Sequence, residues 1–363
     1  MPIWVPEKGE GMIDRGEVIR KVILNGVRWT GLSRVYRAMK PCAGAILMLH
    51  RVTSASTSPL GFNRHLSIAP DFLDRLIGGL KADGYRFVTM DEMAARLKRG
   101  DLEGCPLALT ADDAYRDNLT EALPVLERHG APVTVYAAPA QISRRVALWW
   151  MVLEQIIARR DGFYAPVGGE AVHFDCSTTS AKRRTFIELE NWLTSDVAEE
   201  DQDSLIRDLA AASGLDAMKS GDDVLMNWRE LRRFAAHPLV TIGAHTVHHY
   251  NLRRLDAEAA FSELLDAADI LENELGTRPR HMAFPYGYQA AVGPREADLA
   301  RKAGFITAVT TRHGLLEAGH RAHLQALPRI SVNGRYQSVP YIRTMLTGIT
   351  TPLANRGKRL VTV

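Results

Sequence analysis

The run PLALTADD, residues 106–113, decides the fold: six residues, apolar apart from one threonine, lead straight into the adjacent carboxylates Asp112 and Asp113. A short continuous apolar run bounded by polar residues reads as a strand buried on both faces, the kind found in parallel sheets covered by helices. Comparable runs stand at AILMLHRV (45–52), YRFVTM (85–90), PVTVYAA (132–138), LVTIGAH (239–245), HMAFPY (281–286), FITAVTT (305–311) and ALPRISV (326–332). Helical patterns fall between them at 71–83, 91–99, 117–129, 228–236, 256–275 and 294–303. The clearest, 256–275, sets Phe261, Leu264, Leu265, Ala268, Leu271 and Leu275 on one face. Seven or eight strand–helix repeats predict an α/β protein closed into a (β/α) barrel; the same alternation also allows an open, doubly wound sheet.

The repeats bound the domains. Residues 1–42 read as an N-terminal extension, 43–335 as the main domain, and 336–363 as a C-terminal tail whose basic end, NRGKRL (355–360), is expected to fray. Residues 141–227 break the rhythm and read as a helix-rich insertion over one end of the barrel, with a weak strand at 171–174. The chain has 363 residues, 46% hydrophobic, and a net charge of +3, an excess too small to argue for nucleic acid as a partner. Its longest apolar run, Ala43 to Leu49, is of strand length, so no integral membrane segment is expected. The N-terminus lacks the apolar core of a signal peptide. Cys42, Cys105 and Cys176 show no metal-ligand spacing and read as free thiols in a reducing compartment. These features together give a cytoplasmic expectation. Oligomeric state is not legible.

In a parallel barrel, functional side chains gather where the strands end. Two neighbouring carboxylates raise each other's pKa, and a cation beside them relieves that cost. Successive strand residues diverge, so one carboxylate is free to bind a metal while the other faces substrate. The strand 239–245 ends in His245, with His248 and His249 close behind. If a helical turn follows, His245 and His249 share one face at i and i+4, a spacing from which two imidazoles reach one metal. One Asp and two His, with coordination positions left open, describe a catalytic site for metal-assisted hydrolysis, in which a second carboxylate acts as general base. In HMAFPYGY (281–288), Pro285 stiffens a strand end and Tyr286 offers a backbone N–H suited to stabilising an oxyanion.

In order and spacing these segments resemble the polysaccharide deacetylases of carbohydrate esterase family 4, the nodulation-protein-B homology domain, over about residues 43–335. The family's Thr-Phe-Asp-Asp-Gly motif is matched by Thr110-Ala111-Asp112-Asp113-Ala114. Its His-(Ser/Thr)-x-x-(His/Asp) motif is matched by His245-Thr246-Val247-His248-His249, and its Arg-x-Pro-Tyr motif in part by Ala283-Phe284-Pro285-Tyr286. The resemblance implies a distorted (β/α)7–8 barrel in which Asp113, His245 and His249 hold one divalent metal, usually zinc, with cobalt or nickel able to substitute. It further implies Asp112 as general base, the Tyr286 N–H at the oxyanion, and hydrolysis of N-acetyl groups on the amino sugars of an oligo- or polysaccharide, with release of acetate. An O-acetyl esterase and a non-catalytic carbohydrate-binding protein are the alternatives on the same scaffold.

The departures from the pattern define further expectations. Ala283 replaces the arginine that orients the base in many members, and Arg329 is the preferred substitute, ahead of Arg295. The late Leu-x-His motif that carries the general acid is missing. His313, His320 and His323 are late, but none directly follows an apolar strand run. His50, at the end of an early strand, resembles the acid of the circularly permuted, exopolysaccharide-modifying members. Trp149 and Trp150 offer either a sugar-stacking platform or core.

Overall fold

The computed structural model describes residues 21–22, 24–26, 29–30, 44–56 and 58–363. Most of the expected extension 1–42, including Cys42, lies outside the described residues. Twelve strands are described: β1 (Ala45–Leu49), β2 (Arg51–Val52), β3 (Ser67–Ile68), β4 (Arg86–Val88), β5 (Pro106–Ala111), β6 (Val133–Ala137), β7 (Gly162–Val167), β8 (Glu170–Asp175), β9 (Val240–Ala244), β10 (His281–Ala283), β11 (Thr307–His313) and β12 (Leu327–Ser331).

Seven of them close a parallel barrel in the order β1-β12-β11-β10-β9-β6-β5, and the β1–β5 pairing seals the ring. β4 lies beside the first half of β5, which pairs with β6 along its second half. The closed barrel, and not the open sheet, is what the alternation produces. The earliest strand sits between the last strand and the Asp-Asp strand, with Leu47 opposite both Ile330 and Leu109.

Side-chain parity separates two layers of core. Ile46, Ala108, Tyr136, Ala283, Val309 and Leu327 form an inner cluster, while Leu47, Leu49, Leu107, Leu109, Val133 and Val135 pack outward against the helices. Counting onward in steps of two along the inner faces of β1, β5, β9 and β12 reaches His50, Asp112, His245 and Arg329. Gly243 on β9 is required by the filling of the barrel, because a Cβ there would stand 2.5 Å from the Tyr136 ring.

The surrounding helices obey ordinary end rules. Thr89 caps the helix Met90–Arg99 through Glu92 N–H, and Gly100 ends it in a left-handed conformation. Asp256 caps Ala257–Leu275, whose buried stripe includes Leu264, Ala268 and Leu271 as expected. Leu265 is only half-buried, and the carboxylate Glu263 is buried instead.

The insertion has its own core, formed by Trp149, Trp150, Leu153, Phe186, Leu189 and Ile206 among others. The expected strand 171–174 is the centre of β8, which pairs antiparallel with β7. The tail does not fray as expected. Val361 is buried against Gly314, and its carbonyl oxygen lies 2.9 Å from His320 Nε2. Cys105 is disulfide-bonded and Cys176 is a buried free thiol. That corrects the reading of three free thiols. No helix among the described residues is long and apolar enough to cross a membrane.

Candidate active site

Asp112 and Asp113 are both buried, at 3% exposure each, so neither is a solvated residue at a helix start. They part at the strand end: Asp113 takes a left-handed backbone (φ +69°) and turns away from the direction Asp112 keeps. Asp112 receives two parallel N–H donations from Arg329, to Oδ1 and Oδ2, each at 2.7 Å. Arg329 in turn donates from Nε to Thr310 O at 2.9 Å and from Nη1 to Thr110 Oγ1 at 3.2 Å. Burial pushes the Asp112 carboxyl up, but the charge and fork of Arg329 outweigh it and hold the group at about 2. Arg295 is elsewhere, bonded to Glu296, Leu255 O and Leu252 O.

Asp113 has the opposite environment. Burial first, then the Asp112 charge, raise its pKa well above the usual carboxylate range. Its Oδ1 is buried without a hydrogen-bond partner. That orphaned oxygen lies 3.6 Å from His245 Nε2 and 3.5 Å from His249 Nε2. His245 donates from Nδ1 to Ala283 O at 2.8 Å, which leaves the Nε2 lone pair toward Asp113. Burial lowers the pKa of both histidines, so both rings are neutral donors. Ligand atoms from Asp113, His245 and His249 all lie within 4.8 Å of one another. An unsatisfied carboxylate oxygen facing two neutral imidazole nitrogens fits a divalent cation of the zinc class.

The two histidines do not meet as the helical i, i+4 pair expected from their spacing. Residues 245–250 form an irregular bend in which Thr246 (φ +58°) and His249 (φ +65°) are left-handed. The bend is fixed by Glu263, whose Oε2 accepts from the N–H groups of Val247 (2.9 Å) and His248 (3.0 Å). Glu263 Oε1 also lies 2.5 Å from His248 Nδ1, so His248 is tied away from the cluster. Sequence reasoning missed Glu263; the available signal was a carboxylate inside the apolar stripe of 256–275.

His50 follows β1 and faces the same cluster. Burial depresses its pKa to about 4; the Asp112 charge raises it, while Arg329 and His245 lower it. Tyr286 is left-handed (φ +61°), and its carbonyl accepts from Thr311 Oγ1 at 2.7 Å. Its backbone N–H meets no acceptor among the described residues. The late histidines are occupied elsewhere: His313 with Thr350 Oγ1 at 2.8 Å, and His320 with Val361 O and Glu317 N–H. Trp149 and Trp150 are both buried and meet edge to face. Their indole N–H groups donate to the hydroxyls of Tyr286 and Tyr115, and the Trp150 ring lies 5.3 Å from that of His249. They wall the cluster instead of forming an open platform.

A parallel barrel with an Asp-His-His cluster able to hold a metal ion at its strand ends is the class that fold and site define. The polysaccharide deacetylase family model matches residues 207–307, a span that includes His245, His249 and Tyr286. Among solved structures, the Streptococcus pyogenes deacetylase PplD in complex with acetate is similar at a TM-score of 0.56 and 18% identity, covering 85% of this chain and 99% of that one. IcaB from Ammonifex degensii gives 0.51 and 18%, over 85% and 99%. A de-N-acetylase from Aggregatibacter actinomycetemcomitans gives 0.51 and 15%, over 83% and 98%. No curated protein sequence matches the chain. In the family match over residues 207–307, in fold and in motif order, the chain is similar to the polysaccharide deacetylases of carbohydrate esterase family 4.

Proposed function

We propose that the chain removes N-acetyl groups from the amino sugars of an oligo- or polysaccharide, releasing acetate, with a divalent metal, zinc for preference, held by Asp113, His245 and His249. The observation that carries this reading is the contrast between the two aspartates: one is orphaned against two neutral imidazoles, the other ionised in an arginine fork. When bound, the metal would polarise the acetyl carbonyl and make water more acidic.

The rest of the chemistry belongs to the chain. Asp112, kept ionised, takes the proton of the attacking water as general base. Arg329 fixes the direction from which Asp112 does so. The Tyr286 N–H, without an acceptor among the described residues, donates to the oxygen that gains negative charge. His50 stands to deliver a proton to the departing nitrogen. Since it is neutral at rest, it first acquires that proton during turnover.

The test is acetate release from a panel of N-acetylated oligosaccharides and lipid-linked sugars, alongside metal analysis of the purified protein. Acetate from amide substrates together with about one metal per chain supports the reading. Acetate from O-acetyl esters alone would give the esterase instead, and a loaded metal with no hydrolysis of either would give a carbohydrate-binding protein.

A further inference from the structure

Regular pairing between β1 and β5 ends at Leu49 and Ala111, yet the two chains remain joined beyond it. Asp112 N–H donates to Leu49 O at 3.1 Å. Asn118 Nδ2 donates to His50 O at 2.9 Å and also to Tyr115 O at 3.2 Å. Asp117 Oδ2 accepts from Arg51 Nε at 2.8 Å and its Oδ1 from Val52 N–H at 3.0 Å. Glu121 then accepts from Thr53 Oγ1 at 2.6 Å and from Ser54 N–H at 3.2 Å. Residues 49 to 54 are thus each held, without a gap, by a residue between 112 and 121. Side chains of the segment after the Asp-Asp motif continue the ladder that the backbone stops making.

Asn118 and Asp117 are buried, at 2% and 6% exposure, and Asn118 opens a π-type turn over Asn118–Ala122. Such turns cost helical regularity and are frequent at functional sites. The Arg51 guanidinium, fixed by Asp117, lies 5.0 Å over the Tyr115 ring, and Tyr115 bonds to Trp150 beside His249. The clamp therefore binds the chain on both sides of His50 to the loop that carries Asp112 and Asp113.

We propose that Asn118, supported by Asp117, is a positioning residue for His50. By holding the His50 carbonyl it fixes the peptide plane, and so the direction of the imidazole relative to Asp112. This rests on the reading of His50 as proton donor. Misplacing a catalytic group by about 1 Å costs on the order of 10²-fold in rate.

The experiment is a double-mutant cycle on the full chain, read by acetate release from N-acetylglucosamine oligosaccharides and by hydrolysis of 4-nitrophenyl acetate. Asn118→Ala is expected to lower kcat on the amide roughly 10- to 100-fold, with KM nearly unchanged, ester hydrolysis retained and metal content equal to wild type. In a His50→Ala background the same substitution should add no further loss, because the two act as one unit. Should Asn118→Ala fold poorly, the isosteric Asp117→Asn gives a second reading, with a smaller loss and the same non-additivity. Losses that multiply in the His50→Ala background, a change confined to KM, or an unaltered kcat would overturn the positioning role and leave the deacetylase reading standing. A wild-type chain that cleaves the ester but releases no acetate from the amide, or a His50→Ala variant that keeps full amide turnover, would overturn the underlying reading as well.

Discussion

Arg329 donates to both carboxylate oxygens of Asp112 at 2.7 Å, in a pair almost closed to water at side-chain exposures of 0% and 4%. Asp112 is thereby ionised and aimed before any substrate arrives. Asp112→Asn keeps the shape but accepts no proton. Turnover should fall by about 10²–10⁴-fold, the usual worth of general base catalysis, with metal content unchanged. Acetate release and metal analysis on the same preparation check this, and a near-normal rate would make Asp112 merely structural.

The same pair predicts a stability effect. Arg329→Met leaves a buried carboxylate without its partner, which should cost roughly 3–5 kcal/mol in denaturant unfolding. Adding Asp112→Asn to that variant removes the stranded charge, so the double variant should be more stable than the sum of the single losses predicts. Strict additivity would show that the two side chains do not depend on each other.

His249→Ala takes away one of two imidazole nitrogens facing Asp113 Oδ1. The variant should lose most of its metal on dialysis against a weak chelator, as measured by elemental analysis. Full occupancy would remove His249 from the ligand set.

Strand parity explains how much of this was legible in advance. His50, Asp112, His245 and Arg329 each fall on the inward count of an apolar strand, and apolar strands are the strongest pattern in the chain. Ala283 cannot serve as the partner of Asp112, and β12 brings Arg329 there instead. What could not be read was the backbone between elements. The bend at 246–249 depends on two left-handed non-glycine residues and on Glu263, sixteen residues downstream of Val247. Neither leaves a periodic signal. The C-terminal segment looked frayed because its contacts, Val361 on Gly314 and Asn355 on the His313 carbonyl, are isolated and non-local.

Two groups near Arg335 should titrate in opposite senses. Burial, and then the Arg335 charge, lower the folded-state pKa of His65 to about 4. The unfolded chain therefore takes up a proton near pH 6.5 that the folded chain refuses, and the His65 contribution to stability is lost as pH falls from about 6.5 toward 4. Burial raises Glu190 to about 7, with Arg335 opposing. Its folded form keeps a proton that the unfolded chain releases near pH 4.5, so Glu190 becomes destabilising as pH rises from about 4.5 to 7. Relative to wild type, His65→Gln should gain stability on acidification, while Glu190→Gln should gain it on approach to pH 7. Each effect is of order 1 kcal/mol for these half-buried groups. Unfolding curves at pH 5, 6 and 7 in chelator check the signs, and parallel curves for all three proteins would contradict them.

The sharpest prediction concerns His50. An amide leaves only if its nitrogen is protonated, whereas an activated ester expels a leaving group that needs little help. Among the histidines that sequence order put forward for this task, His313 and His320 are bonded to Thr350 and Val361, while His50 faces Asp112, Arg329 and His245. Burial keeps its ring neutral at rest, with a pKa near 4. In the proposed role of acid it would gain its proton within the catalytic cycle, from the direction of Asp112. His50→Ala should slow acetate release from N-acetyl substrates by two orders of magnitude or more, of the size expected for general acid catalysis. Hydrolysis of 4-nitrophenyl acetate, metal content and thermal stability should stay close to wild type. If His313→Ala or His323→Ala gives that amide-selective loss and His50→Ala does not, the proton comes from the late segment and the early strand is only part of the barrel wall.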